Sequence, residues 1–322
     1  MSHQPPATTE PDVLVRVSNG IGCIELNRPR AINALTIDML RTIATAVEAW
    51  REDDAITRVE FTGRGERGFC SGADVRQLRE TMLQDVDQAI EFCDVEYPLN
   101  AALSQYPKPV VAVMDGITMG GGIGLSLHGS RRIGTHTTRI AMPEVGIGLF
   151  PDVGATFELS RMPGETGTWM ALTGNPVDAS SALWAGLLDE TDELPVHPDD
   201  SWLATNRGWI DECFAGHDAA EVLARLEGHD HPEARATAEV ISGRCPLSVA
   251  VALELVRRAA QLGSVPEVLR LDRILAENFM RDSDFGEGVR AQLVDKDRNP
   301  RWRHAHLADV TRAEVLAMFG EE

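Results

Sequence analysis

The sequence has few basic residues and no apolar run long enough to cross a membrane. No stretch of its 322 residues approaches the ~20 consecutive apolar residues that a spanning helix requires. Acidic residues outnumber basic ones by 50 to 30, which gives a formal net charge of −20 at pH 7. A surface of that charge repels phosphate backbones. We therefore expect no membrane and no nucleic-acid partner, although a few Arg residues gathered locally could still bind an anionic small molecule.

Cysteine is also scarce. The five cysteines are odd in number, and their spacing fits neither a CxxC pair nor a disulfide framework, which predicts free thiols in a reducing cytoplasm. Residues 1–11 are polar and contain two adjacent prolines, but they lack the apolar segment that is typical of a signal peptide. We therefore expect a disordered leader over 1–11 and a cytoplasmic location.

The distribution of apolar residues predicts an α/β fold followed by helices. Two predicted strands flank a turn at Asn19-Gly20, and an apolar stripe with three- and four-residue spacing follows Thr36. Short apolar segments then alternate with helical ones over the first half of the chain, which is typical of α/β proteins. The second half is helical in pattern, and we expect helices over 233–260 and 266–280.

Two glycine-rich segments could bring backbone N–H groups to one ligand. In Phe69–Asp74, Gly72 allows a sharp turn that would point the N–H of Ala73 into a cavity, although a plain strand-to-helix turn explains this segment better when it is taken alone. The segment Gly116–Gly124 contains three consecutive glycines, which are costly to order and indicate the close approach of either a ligand or a helix. It matches neither a dinucleotide-binding fingerprint nor a P-loop. Together, the two segments could supply the two donors of an oxyanion hole.

A third segment, Met142–Gly154, carries two carboxylates among glycine and apolar residues. These are Glu144 and Asp152. Carboxylates in such segments are often exposed turn residues or helix caps. The flanking glycines slightly favour a carboxylate held in an apolar cavity, where desolvation raises its pKa and makes it usable as a base or nucleophile.

Three other patterns are weaker. Ser126 approaches a nucleophile elbow, but His128 stands where that motif needs glycine, so we interpret Ser126 as a helix residue. Cys70 has no nearby His to activate it and is interpreted as a small buried side chain. His229 and His231 lack a third metal ligand nearby, which favours an exposed loop over a metal site.

Taken in order, the segments resemble those of the enoyl-CoA hydratase/isomerase (crotonase) family. The resemblance rests on Ile24–Pro29, Asn33–Leu35, Phe69–Asp74, Pro107–Val113, Gly120–Gly122 and Met142–Glu144. It implies a spiral of ββα repeats followed by a helical region. We therefore expect a CoA-binding catalytic core over 12–190 and a mainly helical region over 191–322.

The resemblance also implies how a CoA thioester would be bound. Its carbonyl oxygen would accept hydrogen bonds from the N–H groups of Ala73 and Gly121. Further substrate-binding residues would be Glu96, Gly120 and Asp74. The adenine and phosphates of CoA would be bound by Arg28, Arg30 and Ala31. CoA would then be part of the substrate, with no separate cofactor and no metal, and family analogy implies a homotrimer or homohexamer.

Departures from the family pattern favour a thioester hydrolase. Hydratases of the family carry one catalytic glutamate at the position of Gly124 and a second at that of Glu144, so a two-glutamate hydration is disabled here. Asp152 stands where hydratases usually have a small residue. This combination resembles the 3-hydroxyisobutyryl-CoA hydrolases of valine breakdown, as do the segments Glu96–Asn100 and Phe285–Trp302.

The hydrolase resemblance implies a role for each of three carboxylates. Glu144 would either attack the thioester carbon or remove a proton from the attacking water. Asp152 would orient the acyl hydroxyl or the water, and Glu96 would bind the polar end of the acyl group. Three alternatives stay open: a hydratase or isomerase that uses Glu144 alone, a non-catalytic acyl-CoA binding protein, and a serine esterase built on Ser126.

Overall fold

The computed structural model describes residues 10–191 and 196–321, so only the last two residues of the expected leader over 1–11 lie within it. These ranges contain nine strands and fourteen α-helices. The strands are β1 (Val13–Ser18), β2 (Ile21–Leu26), β3 (Arg58–Gly63), β4 (Val110–Met114), β5 (Ile117–Met119), β6 (Arg131–Gly134), β7 (Arg139–Ala141), β8 (Val177–Asp178) and β9 (Glu190–Thr191). The helices are α1 (Ile37–Arg51), α2 (Val75–Gln84), α3 (Val86–Ser104), α4 (Gly121–Ser126), α5 (Ala155–Leu159), α6 (Thr166–Thr173), α7 (Ala179–Ala185), α8 (Trp202–Phe214), α9 (Ala219–Gly228), α10 (Pro232–Ser242), α11 (Pro246–Ala259), α12 (Val265–Arg281), α13 (Ser283–Val289) and α14 (Arg312–Met318).

The main sheet has six strands in the order β1-β2-β3-β4-β6-β9. β1 and β2 form the predicted antiparallel hairpin, and Asn19 and Gly20 in its turn have φ angles of 52° and 77°, as a tight hairpin turn requires. The other neighbours in this sheet are parallel. A second sheet, β5-β7-β8, begins in the segment with three consecutive glycines. The predicted α/β fold is confirmed.

The hydrophobic core extends from the main sheet and the helices packed against it into the C-terminal helical region. α1 begins after Thr36, whose hydroxyl accepts a hydrogen bond from the N–H of Met39. Its apolar stripe is buried, as the spacing predicts. Trp50 in that stripe packs over Gly22 of β2, where a Cβ atom would overlap the indole ring. The small residue in the strand therefore makes room for the largest side chain of the helix.

Residues 233–260, which we expect to be helical, form two helices with a short break between them. α10 ends at Ser242 and α11 begins at Pro246. Proline disfavours helical backbone in the residue before it, and Cys245 accordingly has a ψ of 118°. The helix expected over 266–280 is confirmed as α12. In the part of the chain that the structure describes, no helix is both long and apolar enough to cross a membrane.

Candidate active site

The two glycine-rich segments lie side by side. Cys70 and Thr118 pair across them as parallel backbone partners, and the N–H of Met119 donates to the carbonyl of Cys70 at 2.9 Å. Gly72 has a φ of 95°, and a Cβ atom there would lie 3.2 Å from the Met119 carbonyl oxygen and 3.4 Å from the Gly121 nitrogen. Glycine is therefore required at position 72 both by its backbone conformation and by the approach of the second segment.

The backbone N–H groups of Ala73 and Gly121 are available to a ligand. Neither donates a hydrogen bond to another described residue. Gly121 is the first residue of α4, so its N–H has no acceptor within the helix. Both residues line one cavity. Two free donors that face one cavity can stabilise a thioester oxyanion.

This cavity has a volume of about 340 Å³ and lies between the two glycine-rich segments, α3 and α12. Six of the predicted site residues line it, namely Ala73, Glu96, Gly120, Gly121, Glu144 and Asp152. Most of its wall is apolar and includes Val75, Leu78, Phe92, Ile147, Leu149, Ala276, Met280 and Leu293. The carboxylates that the sequence analysis singled out therefore share one largely apolar cavity with the two free amides.

Glu144 lies against the second glycine-rich segment. It begins a short 3-10 turn directly after Pro143, and it is only 6% exposed. A Cβ atom on Gly120 would lie 3.0 Å from Glu144 Oε1, whereas Oε2 is buried without a hydrogen-bond partner among the described residues. Burial, and then the charges of Asp152 and Glu96, raise the pKa of Glu144 well above its usual range. Gly120 thus leaves room for Glu144 Oε1 beside the backbone of the second glycine-rich segment, while Oε2 is free to contact a ligand.

Asp152 lies in the same cavity and is held by a tyrosine. The hydroxyl of Tyr97, on α3, donates to Asp152 Oδ2 at 2.9 Å. Burial raises the pKa of Asp152 to about 6, and the Tyr97 hydrogen bond opposes this shift because it stabilises the ionised carboxylate. Of the three acids in the cavity, Asp152 is the one with a side-chain donor to hold its charge.

Glu96 is the third buried carboxyl group. It belongs to α3, is 2% exposed, and has a buried Oε1 without a hydrogen-bond partner among the described residues. A Cβ atom on Gly121 would overlap this oxygen, so the middle glycine makes room for Glu96. Burial, and then the charge of Asp152, raise the pKa of Glu96 well above its usual range, which favours its protonated form.

Gly124, the position that the family resemblance assigns to one hydratase glutamate, has no room for a side chain. A Cβ atom on Gly124 would lie 2.7 Å from Asn100 Nδ2 and 2.9 Å from Val153 Cβ. Both contacts are closer than Cβ atoms tolerate, so Asn100 and Val153 fill the space that a side chain at 124 would need. A side chain at position 124 would therefore require Asn100 or Val153 to move.

Four predicted ligand-binding residues are not among those that line the cavity: Arg28, Arg30, Ala31 and Asp74. Asp74 accepts a hydrogen bond from the N–H of Gln77 at the start of α2 and pairs with Arg28 at 3.0 Å. Arg28 also lies 3.7 Å from Asp12. The charge of Arg28 is thus balanced within the protein, whereas the exposed guanidinium of Arg30 has no partner among the described residues.

The structure also adds site residues that the sequence analysis did not select. Tyr97 stands next to Glu96, and that adjacency was the available signal. Arg244 lines the cavity, where its Nε donates to the carbonyl of Thr173 at 2.7 Å and burial lowers its pKa. It reaches the cavity from the turn between α10 and α11, and its hydrogen bond to Thr173 spans 71 residues of sequence, a contact that no local pattern indicates.

The weaker sequence candidates have structural explanations. Ser126 is buried in α4, and its hydroxyl donates to the carbonyl of Gly122 at 2.7 Å, which confirms a helix residue. Cys70 is fully buried, and burial raises the pKa of its thiol to about 12. The imidazole of His229 lies 3.2 Å from the carboxylate of Glu212, so His229 contacts another side chain of the helical region. All five cysteines are free thiols, as the sequence predicts.

Comparison with known proteins agrees with the geometry of the cavity. A family model described as enoyl-CoA hydratase/isomerase matches residues 21–192 and 187–319. The chain belongs to the enoyl-CoA hydratase/isomerase family. Among curated members, it is 34% identical to the mitochondrial 3-hydroxyisobutyryl-CoA hydrolase of Gallus gallus, and the match covers 93% of this chain and 86% of that protein.

Solved structures of family members share the fold. A carnitinyl-CoA dehydratase from Mycobacterium thermoresistibile is 43% identical with a TM-score of 0.91, and the match covers 96% of each chain. An enoyl-CoA hydratase from Rhodobacter sphaeroides 2.4.1 is 36% identical with a TM-score of 0.92, and the match covers 97% of this chain and 98% of that chain. The fold implied by the resemblance is therefore confirmed.

Proposed function

We propose that this protein hydrolyses the thioester of a short hydroxyacyl-CoA, with 3-hydroxyisobutyryl-CoA as its main substrate. The observation that carries the proposal is the position of Glu144. Its unbound carboxylate oxygen shares a cavity with the free amides of Ala73 and Gly121, while the position of the other hydratase glutamate is glycine and is filled by neighbouring side chains. Curated relatives that carry the hydrolase name match nearly the whole chain.

The reaction needs a thioester carbonyl held between the two amides and a base or nucleophile beside it. In the direct route, Glu144 takes a proton from water, the water oxygen bonds to the thioester carbon, and the C–S bond breaks. In the covalent route, Glu144 bonds to that carbon itself and the C–S bond breaks; water then cleaves the anhydride to give the free acid and Glu144, and supplies the proton that the CoA thiolate takes up. Both routes put negative charge on the carbonyl oxygen, where loss of one donor typically costs ~3 kcal/mol in the barrier. Both also release CoA as a thiol, with one proton returned to sulfur.

The buried polar side chains of the cavity support a hydroxylated acyl group. Besides Glu144 these include Asp152, Tyr97 and Glu96, and Glu96 has an oxygen without a partner among the described residues. A buried polar group without a partner is costly, so a substrate hydroxyl that bonds to it is favoured over a methyl group. 3-Hydroxypropionyl-CoA offers the same hydroxyl, and we expect it to be a second substrate.

The test is CoA release measured with a thiol-reactive dye. We expect 3-hydroxyisobutyryl-CoA to be hydrolysed faster than isobutyryl-CoA, its matched control without the hydroxyl, by roughly 100-fold or more because a buried partner would be left unpaired. Equal rates with both esters would contradict the acyl preference. No thiol release from any short acyl-CoA would contradict the hydrolase proposal and favour a non-catalytic acyl-CoA binding protein.

The nearest rival is a hydratase or dehydratase, the activity named for the two solved structures above. It would consume crotonyl-CoA without releasing a thiol, so the same dye assay distinguishes the two reactions. The packing around Gly124 argues against it, because a two-carboxylate hydration would need a side chain in space that Asn100 and Val153 occupy. A serine esterase built on Ser126 would be labelled by a fluorophosphonate, and we expect no labelling.

Several further points belong to the proposal. The reaction would need no cofactor besides the CoA of the substrate, and Arg30 would bind the CoA phosphates. A homotrimer or homohexamer is proposed by family analogy. A cytoplasmic location remains a prediction from the sequence, whereas the curated hydrolases are named mitochondrial.

A further inference from the structure

The turn that carries Asp152 has an unfavourable backbone conformation. Val153, the next residue, has a φ of 54°, in the left-handed region that β-branched residues rarely adopt. Gly154 follows with a φ of 74°. Val153 is also fully buried. Strained residues of this kind persist only where the surrounding structure holds them, and they cluster at functional sites.

Two side chains from distant parts of the chain hold this turn. The N–H of Gly154 donates to Asp272 Oδ2 at 2.7 Å, and Asp272, on α12, is fully buried. The carbonyl of Val153 accepts a hydrogen bond from His128 Nε2 at 2.7 Å. Neither Asp272 nor His128 is among the residues that line the cavity. Both side chains form hydrogen bonds with the backbone directly after Asp152.

Burial shifts the pKa values of both His128 and Asp272. Burial lowers the pKa of His128 to about 4, so its imidazole is neutral and the proton lies on Nε2, where the Val153 carbonyl accepts it. Burial, and then the charge of Asp152, raise the pKa of Asp272 well above its usual range. Asp272 Oδ1 and His128 Nδ1 are buried without partners among the described residues. An apolar side chain would avoid that cost, so these polar groups are costly for folding alone.

We propose that Asp272 and His128 are positioning residues, which together clamp the Val153-Gly154 turn and thereby hold the Asp152 carboxylate in the cavity. The kinetic part of this inference rests on the proposed hydrolase function. The clamp needs a hydrogen-bond acceptor at position 272 and a hydrogen-bond donor at position 128. Substitutions that keep these groups should therefore preserve the clamp.

The test compares Asp272→Asn, which keeps an acceptor oxygen, with Asp272→Leu, which has a similar volume and no acceptor. We expect Asp272→Leu to lower kcat on the order of 100-fold, because displacing the Asp152 carboxylate by about 1 Å can have that effect. KM should stay within about threefold, since the amides that hold the thioester are untouched. Asp272→Asn should keep kcat within about threefold of the wild type.

His128 provides a second pair of variants. His128→Gln can present an N–H near the position of Nε2 and should retain most activity, whereas His128→Leu should lower kcat like Asp272→Leu. The control for a merely structural effect is Leu275→Ala, a fully buried position on the same helix that has no contact with the cavity. It should lower Tm at least as much as Asp272→Leu while it leaves kcat within about twofold.

Hydrogen exchange of the peptide spanning 148–157 gives a readout that does not depend on activity. Asp272→Leu should speed exchange of the Gly154 amide, and Asp272→Asn should not. The clamp is contradicted if Asp272→Leu keeps wild-type kcat or exchange, if Asn is as damaging as Leu, or if Leu275→Ala loses kcat in parallel with Tm. If the wild type hydrolyses no acyl-CoA, the proposed function fails, whereas the exchange comparison still decides whether Asp272 holds the turn.

Discussion

Replacing Gly124 by alanine tests whether the packing around this position requires glycine. The added Cβ would lie 2.7 Å from Asn100 Nδ2 and 2.9 Å from Val153 Cβ, two groups that are buried and cannot move freely. The matched control is Gly208→Ala, because Gly208 also lies within a helix but has no atom within 4 Å of an added Cβ.

The two substitutions share one effect and differ in another. Alanine in place of a helical glycine stabilises a helix by up to ~1 kcal/mol, and this gain applies to both positions. Overpacking at 124 costs about 1–3 kcal/mol, and it applies only there. With an unfolding entropy of about 2.1 cal/mol/K per residue, 1 kcal/mol corresponds to roughly 1.5 °C for this chain length. Gly124→Ala should therefore melt roughly 2–5 °C below Gly208→Ala.

Activity should separate the two variants further. Movement of Val153 shifts the neighbouring Asp152, so Gly124→Ala should lower the rate of thiol release, whereas Gly208→Ala should not. Gly124→Glu, which places a glutamate at the position that the resemblance assigns to a hydratase glutamate, should lose hydrolysis and gain no hydration of crotonyl-CoA. The reasoning is refuted if Gly124→Ala matches Gly208→Ala in both Tm and kcat, or if Gly124→Glu hydrates crotonyl-CoA.

Two further predictions concern charge. Glu144 must be ionised in either route, so kcat/KM for thiol release should fall as the pH falls through the raised pKa of Glu144. The substitution Asp152→Asn removes a charge that raises this pKa, so it should move the acidic limb of the profile to lower pH. A pH profile of kcat/KM for both enzymes measures the shift. An unchanged or higher midpoint in Asp152→Asn would argue against Glu144 as the titrating group. Arg30→Gln should raise KM roughly two- to fivefold for the CoA thioester, as expected for an exposed charge pair, and should not raise it for a thioester truncated at pantetheine. Equal effects on the two esters would exclude phosphate binding by Arg30.

Local patterns in the sequence are sufficient to predict the fold and the backbone part of the candidate site. The hairpin turn at Asn19-Gly20 and the apolar stripe of α1 each depend on residues that are close together in the sequence, and the structure contains both. The glycines at 72 and 120–122 could be noticed because no other residue type tolerates such conformations and close approaches. Pro246 was an available signal for the break between α10 and α11, which the helical pattern over 233–260 does not show by itself.

The remaining parts of the site depend on contacts between distant segments. Asp272 meets Gly154, and Arg244 reaches the cavity, across separations for which no periodicity or motif exists. The sequence likewise does not indicate that Asp74 pairs with Arg28, because each of these charged side chains, taken alone, could bind a ligand. Tertiary packing, rather than residue type, decides which charges face the cavity and which are balanced within the protein.

The most direct test of the central claim is the substitution Glu144→Gln, which keeps the shape of the side chain and removes its charge and basicity. Thiol release from 3-hydroxyisobutyryl-CoA and calorimetric binding of the same ester should be measured on the one variant. We expect turnover to fall on the order of a thousandfold or more, and Kd to stay within about threefold because the Ala73 and Gly121 amides are unchanged. Hydrolysis by Glu144→Gln at close to the wild-type rate would contradict the account.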